Sequence, residues 1–194
     1  MSPPSRITRE TRETQIELEL KLDGSGKVEL DTGIPFFDHM LHLFAAHGFF
    51  DLKLKAAGDL EVDDHHTVED IGICLGQAFR QALQERPAVR RYGLAWVPMD
   101  EALAQVAVDL SNRPFLVYRV NFLPGGSRFD PQLVQEFWRA VAQHGGMTLH
   151  ILVPHGDNTH HIIEAVFKAA GRALDQATTP EERLAGVPST KGLL

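Results

Sequence analysis

The chain carries one short pattern twice. DDHHTVED at residues 63–70 and DNTHHIIEA at residues 157–165 each hold a His-His-x-x-Glu core. Recurrence of so specific a motif in a chain of 194 residues predicts two copies of one structural unit.

The flanking patterns repeat as well. Residues 14–22 alternate, with Ile16, Leu18, Leu20 and Leu22 on one face and Glu17, Glu19 and Lys21 on the other, as in a half-buried strand. The turn residues Asp-Gly-Ser-Gly lead to a second strand at 27–30, so the opening reads as a hairpin. A helix over 35–47 stops at Gly48, a strand covers 51–56, and the first His-His helix covers 65–84. In the second half, strands at 103–110 and 115–122 flank Ser-Asn-Arg-Pro. A helix runs from 131 to Gly145-Gly146, a strand covers 147–153, and the second His-His helix covers 160–176. Each half reads as β-β-α-β-α, residues 1–90 and 91–194, forming one compact unit of the α+β class.

Composition narrows the function classes. A net charge of −7 lacks the basic bias of a nucleic-acid-binding face. Cys74 is the single cysteine, which excludes an intramolecular disulfide. The start MSPPSRITRE lacks the apolar region of a secretion signal, and no stretch approaches a membrane span. The expectation is a cytoplasmic protein without a membrane or nucleic-acid partner.

Helix geometry gives the motif its chemistry. At about 100° per residue Glu69 lies angularly between His65 and His66, and the two imidazoles diverge. One ion can take one His and the Glu, while the other His faces a different ion. Neither ion is then saturated by one helix, so the remaining ligands must come from other segments or another subunit. Asp63, Asp64, Asn158 and Thr159 are good N-cap residues, which puts both pairs in a first helical turn. Imidazole with carboxylate is a recurrent transition-metal set.

Other candidates are less determined. His39 and Glu136 hold matched positions on the preceding helices and can each add a ligand or remain surface residues. His47 and His144 precede glycines and serve either as helix-end charges or as substrate contacts. His42, His150 and His155 have no repeat partner and read as surface or packing residues. Arg90, Arg91, Arg113 and Lys191 can bind a phosphate or be solvated cations. Glu13 and Glu101, matched between the halves, are either an acid–base pair or ordinary strand-start residues.

The ordered set TRET, GIPFFDHMLHLFAAHG, GDLEVDDHHTVEDIGICLG, PMDEAL, DLSNRPF, TLHI, NTHHIIEAVFKAAGRAL and STKG resembles the imidazoleglycerol-phosphate dehydratase family of histidine biosynthesis, in its monofunctional form, from about Arg6 onward. The resemblance implies a tandem fold of the ribosomal protein S5 domain 2-like type. It implies two Mn(II) ions per active site and a homo-oligomer of 24 subunits with sites at subunit interfaces. Carried over by position, the metal ligands are His39, His65, His66 and Glu69 from one half and Glu136, His160, His161 and Glu164 from the other, with Glu136 standing where many relatives carry His. Glu13 and His47 would contact a small phosphorylated imidazole substrate, and Arg91, Arg113, Lys168, Ser189 and Lys191 would hold its phosphate.

The reaction so implied converts imidazoleglycerol phosphate to imidazole acetol phosphate and water. It needs loss of an unactivated C–H proton and of hydroxide, with the imidazole ring as electron relay. Glu13 is the expected base, ahead of Asp100 or Glu101. A metal-dependent hydrolase of a small phosphorylated substrate and a non-catalytic metal-binding assembly protein are the other readings of the same ligands.

Overall fold

Alternation along residues 14–21 builds the strand on which the first sheet is organised. In the computed structural model, which describes residues 3–86, 88–122, 128–184, 186, 188 and 189, Ile16, Leu18 and Leu20 are buried and Gln15 and Glu17 are exposed. The first half contains β1 (Ser5–Glu10), β2 (Thr14–Lys21), β3 (Val28–Asp31), α1 (Pro35–Gly48), β4 (Asp51–Gly58) and α2 (His65–Gln84). The second contains β5 (Tyr92–Met99), β6 (Ala102–Asp109), β7 (Phe115–Arg119), α3 (Gln132–Gly145), β8 (Thr148–His155) and α4 (Thr159–Thr178). Sheet orders are β1-β2-β4-β3 and β5-β6-β8-β7, the same arrangement twice, so the tandem α+β architecture is as expected.

Two details differ from expectation. Each half has one strand more, β1 and β5, ahead of the first strand read from sequence. The expected hairpin is absent, because β4 lies between β2 and β3, antiparallel to the first and parallel to the second. The turn at 22–27 therefore passes over the start of β4, where the Asp51 carboxylate accepts from the amides of Ser25 (2.7 Å) and Lys27 (3.1 Å). Likewise β7 pairs in parallel with β8 and not with β6.

Helices meet across the halves. α1 packs on α4 and α2 on α3, while α2 also covers the first sheet and α4 the second. Phe37 of α1, Phe137 and Trp138 of α3 and Phe167 of α4 form one aromatic cluster, with centroids 5.1 Å apart for Phe37–Phe137 and 5.5 Å for Phe137–Phe167. Glycines set how closely the backbones approach. A Cβ on Gly171 would lie 2.3 Å from the Phe44 carbonyl oxygen, and one on Gly76 would lie 2.7 Å from that of Val141.

The outer sheet faces are unlike. The first presents Arg6, Glu17, Glu19, Lys53 and Lys55, whereas Tyr92, Leu94, Trp96 and Phe115 stand exposed on the second. An apolar face of this kind marks an interaction surface.

Gly171→Ala should force α1 and α4 apart and destabilise the fold by about 1–3 kcal/mol, the usual cost of overpacking. Denaturant unfolding measures it, and an unchanged midpoint would mean that the two backbones are free to separate.

Candidate metal centre

The two His-His pairs open their helices, as their capping residues predict. Asn158 Oδ1 accepts from the amides of His160 (2.9 Å) and His161 (3.4 Å), and Asp63 Oδ1 accepts from that of His65 (2.8 Å). Within each pair the rings diverge, with interplanar angles of 75° for His65–His66 and 86° for His160–His161.

One imidazole of each pair turns toward its own helix. His160 Nε2 lies 3.2 Å from Glu164 Oε2, and His65 Nε2 lies 3.8 Å from Glu69 Oε2. The α1–α4 contact brings His39 to the first of these, its Nε2 3.8 Å from the same Glu164 oxygen. Potential ligand atoms of His39, His160 and Glu164 all lie within 4.8 Å of one another. Candidate ligands from opposite halves are thus gathered by helix packing. In the mirror position Glu136 does not complete the His65–Glu69 pair; its carboxylate holds Arg139 Nη1 at 2.5 Å. Lys168 Nζ sits 2.5 Å from Glu164 Oε1. Burial opposes ionisation of Glu164, but Lys168 and His160 outweigh it and hold the carboxyl below its usual range. Two imidazoles and an ionised carboxylate suit a divalent transition ion, so the donor set fits the metal that the sequence motif implies.

The other imidazole of each pair turns outward to a carboxylate. His66 Nδ1 lies 3.0 Å from Asp59 Oδ2 and 3.9 Å from Glu13 Oε2. His161 Nδ1 lies 2.7 Å from Glu101 Oε2, with Nε2 3.9 Å from Asp100 Oδ2. Glu101, bonded chiefly to His161 and also to the amides of Asp157 and Asn158, is pushed down to about 2. Burial lowers the pKa of both His47 and His144, with help from the Lys168 and Arg172 charges at His47 and the Arg9 charge at His144. His47 thus faces α4, which includes Glu164. Cys74 is buried and its thiol is pushed up to about 12, which removes it as a nucleophile at neutral pH.

The cations divide into two groups within one chain. Arg91 Nε holds Asp109 Oδ1 at 2.7 Å and its Nη1 donates to the Pro188 carbonyl, next to Ser189, while the more exposed Arg113 reaches Asp109 Oδ2 at 3.4 Å. Lys168 lies by Met99, at the other end from Arg91 of the eight-residue β5, a strand that spans roughly 24 Å. Lys191 lies outside the described residues. One chain therefore does not focus Lys168 and the two arginines on a single phosphate.

Sequence reasoning missed two elements of the site. Asp59, the partner of His66, sits in a loop with no pattern to mark it. The second is a half-buried network in which Asp70 takes Arg9 Nη2 at 2.9 Å and the Thr14 hydroxyl at 2.5 Å. It ties the strand behind Glu13 to the helix bearing Glu69. Its signal was the contrast between TVED and IIEA: the positions matching Asp70 and Thr14 in the second half are Ala165 and Ala102.

Comparison with known proteins places this geometry among relatives. A sequence profile of the family described as imidazoleglycerol-phosphate dehydratase matches residues 32–174. The imidazoleglycerol-phosphate dehydratase of Syntrophobacter fumaroxidans is 63% identical over 189 residues, 97% of this chain and 96% of its own. Among solved structures, IGPD from Pyrococcus furiosus in complex with (S)-C348 superposes with a TM-score of 0.85 at 42% identity, covering 97% of this chain and 100% of that one. The imidazoleglycerol-phosphate dehydratase of Staphylococcus aureus gives 0.83 at 39% identity, covering 92% and 99%.

Asp70→Ala would strand the Arg9 guanidinium, whose Nε already lacks a partner among the described residues. The loss should be about 3 kcal/mol, at the lower end for breaking a buried pair. Thermal unfolding tests it, with Arg9→Met/Asp70→Leu expected to regain much of the loss; a single variant as stable as wild type would mean that the pair is solvated.

Proposed function

The chain belongs to the imidazoleglycerol-phosphate dehydratase family, and from that premise we propose that it dehydrates imidazoleglycerol phosphate to imidazole acetol phosphate in histidine biosynthesis, as a manganese-dependent hydro-lyase of the cytoplasm. The convergence of His39, His160 and Glu164 from two halves of the chain carries the reading. We propose two Mn(II) ions per active site. One would be held by His39, His160 and Glu164, the other by His65, Glu69 and Glu136 once Glu136 turns from Arg139. His66 and His161, directed away from these groups, would supply the fourth protein ligand to sites in neighbouring subunits.

Bound manganese would supply Lewis acidity toward the imidazole nitrogens of the substrate. The chain's own residues handle the proton and the phosphate. Glu13 is 55% exposed at the start of β2, and among the described residues its carboxylate accepts no hydrogen bond. It takes the C–H proton, the departing hydroxide is protonated to water so that the carboxylate is restored in the net balance, and the resulting enol tautomerises to the ketone. His47 would contact substrate from the α4 side. Arg113, Arg91, Ser189 and Lys191 bind the phosphate through charge-assisted bonds, with Lys168 contributed from another subunit, since the two ends of β5 are too far apart for one phosphate.

Closure between subunits requires a homo-oligomer, and we propose the 24-subunit assembly that the sequence resemblance implies. The apolar outer face of the second sheet, with Leu94 and Trp96 about half exposed, supports association of copies. No described helix is long and apolar enough to cross a membrane.

The direct test is incubation of Mn(II)-loaded protein with imidazoleglycerol phosphate. Appearance of the ketone supports the reading, and release of inorganic phosphate in its place would make the protein a hydrolase. Glu13→Gln should retain its manganese and lose about 10²- to 10⁴-fold in kcat; an unchanged kcat would move the base elsewhere. Ions shared between subunits contribute their binding free energy to assembly. Chelation should therefore release smaller oligomers, and returned manganese should restore the large particle. Light scattering that stays constant while the metal is stripped would show that the interfaces hold without it.

A further inference from the structure

The matched carboxylates Glu13 and Glu101 do different things. Glu101 is fully committed, bonded to His161 Nδ1 at 2.7 Å and to the amides of Asn158 at 2.8 Å and Asp157 at 3.2 Å. Glu13 approaches His66 only to 3.9 Å. The place that Glu101 occupies against His161 is taken at His66 by Asp59, whose two oxygens lie 3.0 and 3.3 Å from Nδ1. Asp59 and Asp157 are matched residues, each following the glycine after or at the end of the last strand of its sheet. Their amides donate to the same residue by different atoms, the Glu13 carbonyl at 3.1 Å and the Glu101 carboxylate at 3.2 Å.

Loop length explains the difference. Six residues, 59–64, separate Gly58 from His65, and three, 157–159, separate Gly156 from His160. The short loop brings the α4 N-terminus down onto Glu101, which both caps the loop amides and takes the imidazole. The longer loop lets the Asp59 side chain turn back to His66.

We propose that Glu101 and Asp59 are equivalent positioning residues, each holding an outward-turned imidazole with Nδ1 as donor and Nε2 directed to the metal, and that the longer first-half loop hands this task to Asp59 so that Glu13 is left free as the base. This rests on the metal reading above. A carboxylate on the far nitrogen of a metal-ligating histidine fixes its tautomer and ring orientation and raises its basicity, and removing it weakens metal binding by about 10- to 100-fold. Only the half in which that carboxylate comes from another residue has a strand-start glutamate to spare for proton transfer. The duplicated half-sites are accordingly not interchangeable in chemistry.

Asp59→Asn, Glu101→Gln and Glu13→Gln separate these roles in the full-length protein. Manganese titration followed by the electron paramagnetic resonance of free Mn(II) should show affinity about 10- to 100-fold weaker for the first two and unchanged for Glu13→Gln, which loses kcat alone. Nitrogen-15 spectra of histidine in the metal-free protein should show His66 and His161 as Nδ1–H tautomers, shifted in the matching variant only. Circular dichroism distinguishes misfolding, and Glu101→Asp should recover part of the affinity lost in Glu101→Gln. Wild-type affinity and tautomers in Asp59→Asn and Glu101→Gln would overturn the proposal, as would equal loss of affinity in Glu13→Gln. A wild-type protein with the expected tautomers but no manganese binding would instead overturn the metal reading.

Discussion

Close helix contact between the halves is the constraint on which the site depends. His39 belongs to α1 of one half, and His160 and Glu164 belong to α4 of the other. They meet because the α1 and α4 backbones approach at Gly171, where any side chain would strike the Phe44 carbonyl. The mirror contact at Gly76 brings α2 against Val141 of α3. A half-domain alone would carry a His-His-x-x-Glu helix without the helix that crosses it. Packing of the aromatic cluster around Phe137 and Trp138, both fully buried, holds these crossings in place, so the core and the candidate metal centre are parts of one arrangement.

Duplication supplies two similar half-sites, and a few substitutions make them differ. Arg9, Thr14 and Asp70 link β1, β2 and α2 through polar bonds, whereas the matching positions of Thr14 and Asp70 in the second half are alanines. The extra loop residues before His65 change which carboxylate meets the outward imidazole. Sheet surfaces diverge in the same way, one charged and one apolar. Each change leaves the topology intact, because it falls in loops, on outer faces or at the ends of elements.

Much of this was legible in the sequence. Helical periodicity located all four helices, and the 100° step correctly separated the imidazoles of each pair. Strands β1 and β5 were not legible for physical reasons. Residues 5–10 offer only Ile7 as a large inward apolar side chain, and β5 reverses the usual pattern, with Tyr92, Leu94 and Trp96 exposed and Gly93 and Ala95 buried. Gly93 is small because a Cβ there would fall on the Ala173 carbonyl. The hairpin reading failed because a Gly-rich turn signals a change of direction and not which strand lies alongside; β4, arriving later in the chain, takes that place. The meeting of His39 with His160 and Glu164 was hidden for a related reason, since periodicity defines the face of a helix but not the helix that covers it.

We propose that each metal-binding group is assembled from both halves of one chain and completed by an imidazole from a second chain. Anomalous diffraction at the manganese edge from the Mn(II)-loaded assembly tests it most directly. Two ions per active site are expected. One should be coordinated by His39, His160 and Glu164 of one subunit with an outward-turned imidazole of a neighbour, and the other by His65, Glu69 and Glu136 in the same manner. Ions ligated wholly within one chain, or His66 and His161 left without metal, would contradict it.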